Sequence, residues 1–216
     1  MFDWDSMKNK IILADNKDVM KDIPDKFFEL AIVDPPYGIG ADKGTGSNNK
    51  AIASVYFSKW DSSIPDEKYF IELKRISKNQ IIWGVNYYNC FDLSGGRIVW
   101  DKDNTGNFSD CELAYCSFGH GVKKYKYRWN GMLQENMKSK EIRIHPTQKP
   151  IALYRWILSQ YAKPGDKIID THSGSGSLAC ACHLEKYDFL AIEKDEDYYK
   201  SSCDRLEILR SQGTLF

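Results

Sequence analysis

The segment Lys167-Ile-Ile-Asp-Thr-His-Ser-Gly-Ser-Gly-Ser177 decides the fold. A short apolar run ends at Asp170, two glycines alternate with small polar residues, and a helical pattern starts near Ser177; a second apolar run, residues 189–193, then closes on Glu193. That order is one βαβ unit of a parallel sheet. Gly174 and Gly176 let the backbone approach a ligand closely, and an acid about 20 residues after such a turn is where a ribose hydroxyl pair is bound. Glu193 follows Gly176 by 17 residues.

Outward from this unit, apolar runs alternate with amphipathic stretches. Strands are expected at residues 11–13, 30–33, 80–83, 97–100, 112–116, 167–170 and 189–193. Helices are expected over 150–161, from Ser177, over 196–210, and after Ser63 as N-cap with Pro65 in the first turn and Phe70, Leu73 and Ile76 inward. The expectation is an α/β chain, 1–216 as a single domain, with a mixed, mostly parallel sheet and helices on both faces. Residues 38–50, with four glycines, and 119–143, polar and basic, read as loops; the first is long enough for a lid.

The 30 basic and 30 acidic residues cancel, so any nucleic acid must be held by a local patch. Six cysteines without Cys-x-x-Cys spacing read as reduced thiols, and nothing suggests a metal site. The opening MFDWDSMKNK lacks the apolar core of a signal peptide, and no apolar run approaches the roughly 18 residues of a membrane span. The expected location is the cytoplasm, with no membrane partner.

Glu29-Leu-Ala-Ile-Val-Asp-Pro-Pro-Tyr37 puts Asp34 at the carboxyl end of a buried strand, where ligand crevices form in open α/β sheets. Pro35 and Pro36 have no N–H, so this turn offers only acceptors: carbonyl oxygens and a carboxylate. Such a cradle suits a group with two N–H donors, as on the exocyclic nitrogen of adenine or cytosine. Tyr37 adds a flat face on which an extruded base can stack.

At these residues the chain resembles the DNA amino-methyltransferases, in which an Asp-Pro-Pro-Tyr motif holds the target base. The aspartate form usually goes with adenine N6, and a serine in its place more often with cytosine N4; adenine is the implied base. The glycine turn agrees. It lacks the third glycine of the dinucleotide pattern, so S-adenosylmethionine fits better than NAD, and the family has a comparable Asp-x-x-x-Gly-x-Gly segment for that cofactor. Asp170, Thr171, His172, Gly174, Ser175, Gly176 and Glu193 form the implied cofactor set. His172 stands where the commoner pattern has phenylalanine and is expected to pack or hydrogen-bond, with no acid or base duty.

The family also carries a string close to His145-Pro-Thr-Gln-Lys-Pro150 beside the methionine end of the cofactor. By that resemblance His145, Thr147 and Lys149 join the set, with Lys149 or Thr147 meeting the cofactor carboxylate. Asp15 matches a family acid that touches the cofactor adenine; by itself it reads as an N-cap. Trp83, Gly84 and Asn86 end a strand beside the expected base pocket.

The base motif precedes the cofactor motif, so the halves are permuted relative to most Rossmann-like methyltransferases. This order resembles the beta class, stand-alone or phage-like, in which target recognition lies between the halves. Here that is 119–143, a short insertion in which Lys123, Lys124, Lys126 and Arg128 alternate with aromatics and lead to Trp129, a mixture suited to phosphate contact and stacking. The resemblance implies a site-specific N6-adenine DNA methyltransferase in a bacterial or phage-infected cell, linked to restriction-modification, with DNA as partner and a homodimer or recognition subunit open. The rivals are cytosine N4, RNA adenine, or a silent nucleic-acid-binding subunit.

Overall fold

The computed structural model describes residues 2–40, 61–104, 109–130 and 133–212. All seven expected strands are present: β1 Lys10–Leu13, β2 Phe28–Val33, β3 Ser77–Trp83, β4 Gly96–Asp101, β5 Cys111–Cys116, β9 Lys167–Asp170 and β10 Asp188–Glu193. Three more lie in the segment expected to be a loop: β6 Val122–Lys126, β7 Trp129–Asn130 and β8 Leu133–Gln134. That expectation is corrected. Val122–Lys126 shows no apolar alternation because it is an edge strand, exposed along most of its length and guarded by lysines.

The main sheet runs β1-β10-β9-β2-β3-β5-β4-β6, while β7 and β8 form a separate hairpin. From β1 to β3 all pairs are parallel; β5 runs antiparallel to both β3 and β4, and β6 is parallel to β4. The chain therefore brings its two distant motifs together by placing β9 beside β2, with Leu30 opposite Ile168 and Ala31 opposite Ile169.

The helices are α1 Trp4–Met7, α2 Asn16–Met20, α3 Glu67–Ile76, α4 Ile151–Tyr161, α5 Ser177–Glu185 and α6 Glu196–Gln212. α3 forms because Tyr69, Phe70, Leu73 and Ile76 recur at helical spacing and all are buried, with Lys74 and Arg75 in the last turn. Its cap is Asp66, whose carboxylate accepts the Tyr69 N–H at 3.0 Å, not Ser63. Both can accept, but Pro65 fixes an extended approach that leaves Asp66 at the junction.

Two apolar cores result. Leu30, Ile32, Ile81 and Ile168 pack on one face with α4, α5 and α6, and Ala31, Val33, Ile82 and Ile169 on the other with α3. The crossover β2-α3-β3 thus covers the opposite face from β9-α5-β10, and a crevice opens between the carboxyl ends of β2 and β9. Among the described residues no helix is long and apolar enough to cross a membrane.

Candidate active site

Asp34 leaves β2 at that crevice, and the turn it starts is held from three sides. Asp61, itself buried, accepts the N–H groups of Tyr37 and Gly38, both at 2.7 Å through Oδ1. The Tyr88 hydroxyl donates to the Pro35 carbonyl at 2.8 Å. The Tyr37 hydroxyl donates to Asp34 Oδ1 at 2.6 Å, and its ring stacks on Tyr87 at 4.8 Å between centroids and 15° between planes. Gly84 makes room for that ring: at φ +77° a Cβ there would lie 2.2 Å from Tyr37 Cε1. The remainder of the expected lid, residues 41–50, lies outside the described residues.

Lys149 is not placed as expected. Its ammonium sits 2.5 Å from Asp34 Oδ2, 2.9 Å from Glu112 Oε2 and 3.1 Å from the Tyr37 hydroxyl. Three donors meet three acceptors of this chain, which leaves none for a cofactor carboxylate. Lys102 pairs with the other Glu112 oxygen. Burial raises the Asp34 carboxyl above its ordinary range; Lys149 opposes this and Glu112 adds to it. Burial would raise Glu112 too, but Lys149 and Lys102 outweigh it and hold that carboxyl down to about 2.

A cavity of about 660 Å³ runs from Asp34 and Pro36 past His145, Thr147 and Lys149 to Thr171, His172, Gly174 and Ser175, and on to Glu193 and Asp15. That is within the roughly 300–1,000 Å³ of small-ligand sites. A Cβ on Gly174 would come no nearer than 3.7 Å to the His145 ring, so this turn is an open wall. Glu193 is oriented by three backbone donors: Oε2 accepts the Gly174 N–H at 2.7 Å, and Oε1 those of Lys194 and Asp195 at 2.9 Å each. One acceptor direction on Oε2 remains for a ligand hydroxyl.

Asp15 both caps α2, accepting the Lys17 N–H at 2.9 Å, and lines the cavity. His172 joins Asn16 at 3.0 Å and Thr171 Oγ1 at 3.0 Å, while His145 accepts the Thr147 N–H and packs on Tyr198 at 4.3 Å. Burial first, then Lys194 for His172 and Lys149 for His145, pushes both imidazoles down to about 3. They are neutral at physiological pH and add no charge to the wall.

Two members of the expected cofactor set stand behind it. Asp170 is turned in to accept the His172 N–H at 3.0 Å, and burial lifts its carboxyl to about 8. At Gly176 a Cβ would lie 3.0 Å from Ser202 Cβ and 3.2 Å from Ile11 Cδ1. This glycine serves packing between α6 and β1, not approach to a ligand.

The basic segment is also corrected in part. Lys124 pairs with Asp101 at 3.3 Å, Lys126 with Asp103 at 2.8 Å, and Arg128 with Asp103, while Lys123 reaches Gln160 at 3.1 Å. Tyr125 stacks on Trp156 at 4.9 Å. Trp129 is buried in the core and has no face for a base.

Glu112, Lys102, Asp61 and Tyr88 belong to the site and were not singled out from the sequence. Glu112 carries a signal in retrospect, an acid at the head of the apolar run 113–116. Asp61 and Tyr88 carry none, because nothing local marks a residue whose partner lies 24 or 53 positions away.

An open sheet with this strand order and a crevice joining a glycine turn to an acceptor-only turn defines a Rossmann-like methyltransferase fold. It is the fold of the M1.HpyAVI–SAM complex, with a TM-score of 0.54 and 20% identity over 91% of this chain and 98% of that one. It is also that of the cytosine-N4-specific PvuII DNA methyltransferase, with a TM-score of 0.59 and 12% identity over 94% and 91%. The DNA methylase family of N6/N4 type matches residues 82–204, more than half of the sequence, and the chain belongs to that family. Among its relatives is the type II methyltransferase M.HpaI of Haemophilus parainfluenzae, 23% identical over 93% of this chain and 75% of that protein. The protein is a DNA methyltransferase. The matched span holds the cofactor half, and Asp34 to Tyr37 precedes it.

Proposed function

We propose that the protein methylates the exocyclic N6 of adenine in DNA, with S-adenosylmethionine as methyl donor. The observation that carries this reading is the single cavity with the acceptor-only turn at one end and the Gly174–Glu193 pair at the other. The cofactor fits the residues present. Five carboxylates (Asp15, Asp34, Asp66, Glu193 and Asp195) against three lysines line the cavity, an acidic surplus suited to a ligand with net positive charge. Glu193 and Asp15 would hold its nucleoside half and the 145–147 turn its amino-acid half. When bound, S-adenosylmethionine supplies an electrophilic methyl group.

The chain's own work is on the amine. Its lone pair is delocalised into the ring, so it is a poor nucleophile until its two hydrogens are accepted. Asp34 and the Pro35 carbonyl each keep a free acceptor direction, because Lys149, Tyr37 and Tyr88 occupy only one on each oxygen. These partners fix both acceptors before the base arrives, and preorganisation of this kind accounts for much of the rate in such sites. A base in the duplex must be flipped to reach Asp34, at a cost of a few kcal/mol. Stacking on Tyr37 offsets part of it, with the base either displacing Tyr87 or taking the other face.

The test is incubation with radiolabelled S-adenosylmethionine and separate unmethylated DNA and RNA, followed by nucleoside analysis. N6-methyldeoxyadenosine is expected. N4-methyldeoxycytidine, or label in RNA alone, overturns the adenine-in-DNA reading, and no label in any base makes the chain a silent subunit.

A further inference from the structure

We propose that Lys149 is a positioning residue that keeps Asp34 an ionised acceptor, and that Glu112 is a positioning residue for the lysine, which it anchors although its own charge opposes the ionisation of Asp34. The inference rests on the methyl-transfer reading. Four elements converge to make a row of alternating charge, Lys102 after β4, Glu112 on β5, Lys149 before α4 and Asp34 after β2. Lys149 is 3% exposed, and its ammonium also faces the rings of Trp83 at 5.2 Å and Tyr37 at 5.6 Å. The row is neutral as a whole and every ammonium hydrogen of Lys149 is used, so the arrangement is fixed in place before any ligand enters.

The chemistry requires such a device. A buried carboxyl tends to take up a proton, and a protonated Asp34 would donate where the amine needs an acceptor. Lys149 opposes that protonation directly, and Glu112 secures Lys149 while its own negative charge works against Asp34. The other titratable groups that feel Asp34 are Tyr37, Tyr69, Tyr88, Tyr154 and Asp170. Burial drives the four phenols upward, so they stay neutral, and Asp170 is raised to about 8 and mostly uncharged at neutral pH.

The two partners should therefore move the acid limb of methylation in opposite directions. The full chain is assayed on unmethylated DNA at saturating S-adenosylmethionine from pH 5 to 9, with cofactor affinity by calorimetry and thermal unfolding as controls. Lys149→Met should lower kcat by about 10²-fold and shift the acid limb to higher pH with cofactor affinity unchanged, and Lys149→Arg should restore most of both. Glu112→Gln removes a charge that opposes the ionisation of Asp34 and should shift the limb to lower pH, while loss of the lysine's anchor lowers kcat on the plateau. If Lys149→Met does not fold, Glu112→Gln decides alone, and an unmoved limb or a plateau kcat equal to that of the wild type overturns the proposal. A Lys149→Met protein with intact kcat but weakened cofactor affinity also overturns it and makes the lysine a cofactor ligand. A wild type that methylates no DNA sinks the functional reading and this inference together, whereas an active wild type beside an unaltered variant sinks only the inference.

Discussion

Asp61 accepts the Tyr37 N–H at 2.7 Å through the same oxygen that takes the Gly38 N–H at 2.7 Å. One side chain therefore supplies acceptors to a turn whose two prolines leave it few donors and whose two following N–H groups have no strand to pair with. Asp61→Ala would leave both unsatisfied, at about 1–3 kcal/mol each, which in a chain of this size lowers Tm by roughly 10 °C. Asp61→Asn keeps an amide oxygen and should lose much less. Differential scanning calorimetry of the two variants checks this, and equal melting temperatures would show that the turn stands without Asp61.

Asp34→Asn keeps the shape and one acceptor oxygen but removes the charge that meets Lys149 at 2.5 Å. A loss of about 10²–10³ in kcat is expected, with more from Asp34→Ala. Cofactor affinity should survive in both, since Glu193, Asp15 and Gly174 line the cavity at its other end. Appreciable turnover in Asp34→Ala would remove this residue from the catalytic centre.

The fold was legible because seven strands announce themselves as apolar runs, and because Asp34 and Asp170 each stand at the end of one. Val122–Lys126 was not, since an edge strand has one neighbour and needs no apolar pattern. Trp129 was misread for a related reason. Its basic surroundings suggest a surface, but the chain turns it inward against the helical layer while its charged neighbours stay outside. Lys149 shows the limit of a motif: the string around it marks a site, yet only the position of Glu112 on β5 decides what the ammonium holds.

Glycine substitutions separate the base end of the cavity from the packing behind its cofactor wall. Gly84→Ala should force the Tyr37 ring away from Asp34, lowering kcat while leaving cofactor affinity intact. Gly176→Ala should act on stability instead, because its φ of +69° and the contacts with Ser202 and Ile11 are both unfavourable to a side chain. Calorimetric affinity and melting temperature measured on both proteins would reveal a reversed pattern if the roles were exchanged.

The depressed imidazoles have a consequence for acid stability. Native His172 takes up a proton near pH 3, whereas the unfolded chain does so near its ordinary value of 6.5. Between these values the unfolded state binds more protons, so stability falls as pH drops, by up to about 2 kcal/mol per histidine from pH 7 to 5. His145 acts in the same sense, while Asp170, raised to about 8, gains stability on acidification and partly masks both. The difference between wild type and His172→Asn isolates one group. It should narrow by about 2 kcal/mol over that interval in urea unfolding, and a constant difference would mean that His172 titrates normally.

Asp101 and Asp103 already neutralise much of the basic strand, so the acids, not the lysines, set how strongly this edge attracts phosphate. If 119–143 meets the DNA backbone, Asp103→Asn frees Lys126 and Arg128 and should tighten non-specific binding and steepen its salt dependence. Asparagine is the suitable replacement, because position 103 has φ +48° and asparagine tolerates that conformation. Lys126→Ala should do the reverse, making the slope of log K against log salt shallower by about 0.9, the increment for a single phosphate that is no longer neutralised. Fluorescence anisotropy with a labelled duplex between low and moderate salt measures both. Identical slopes in the two variants and the wild type would move the DNA backbone off this strand and leave its lysines to solubility alone.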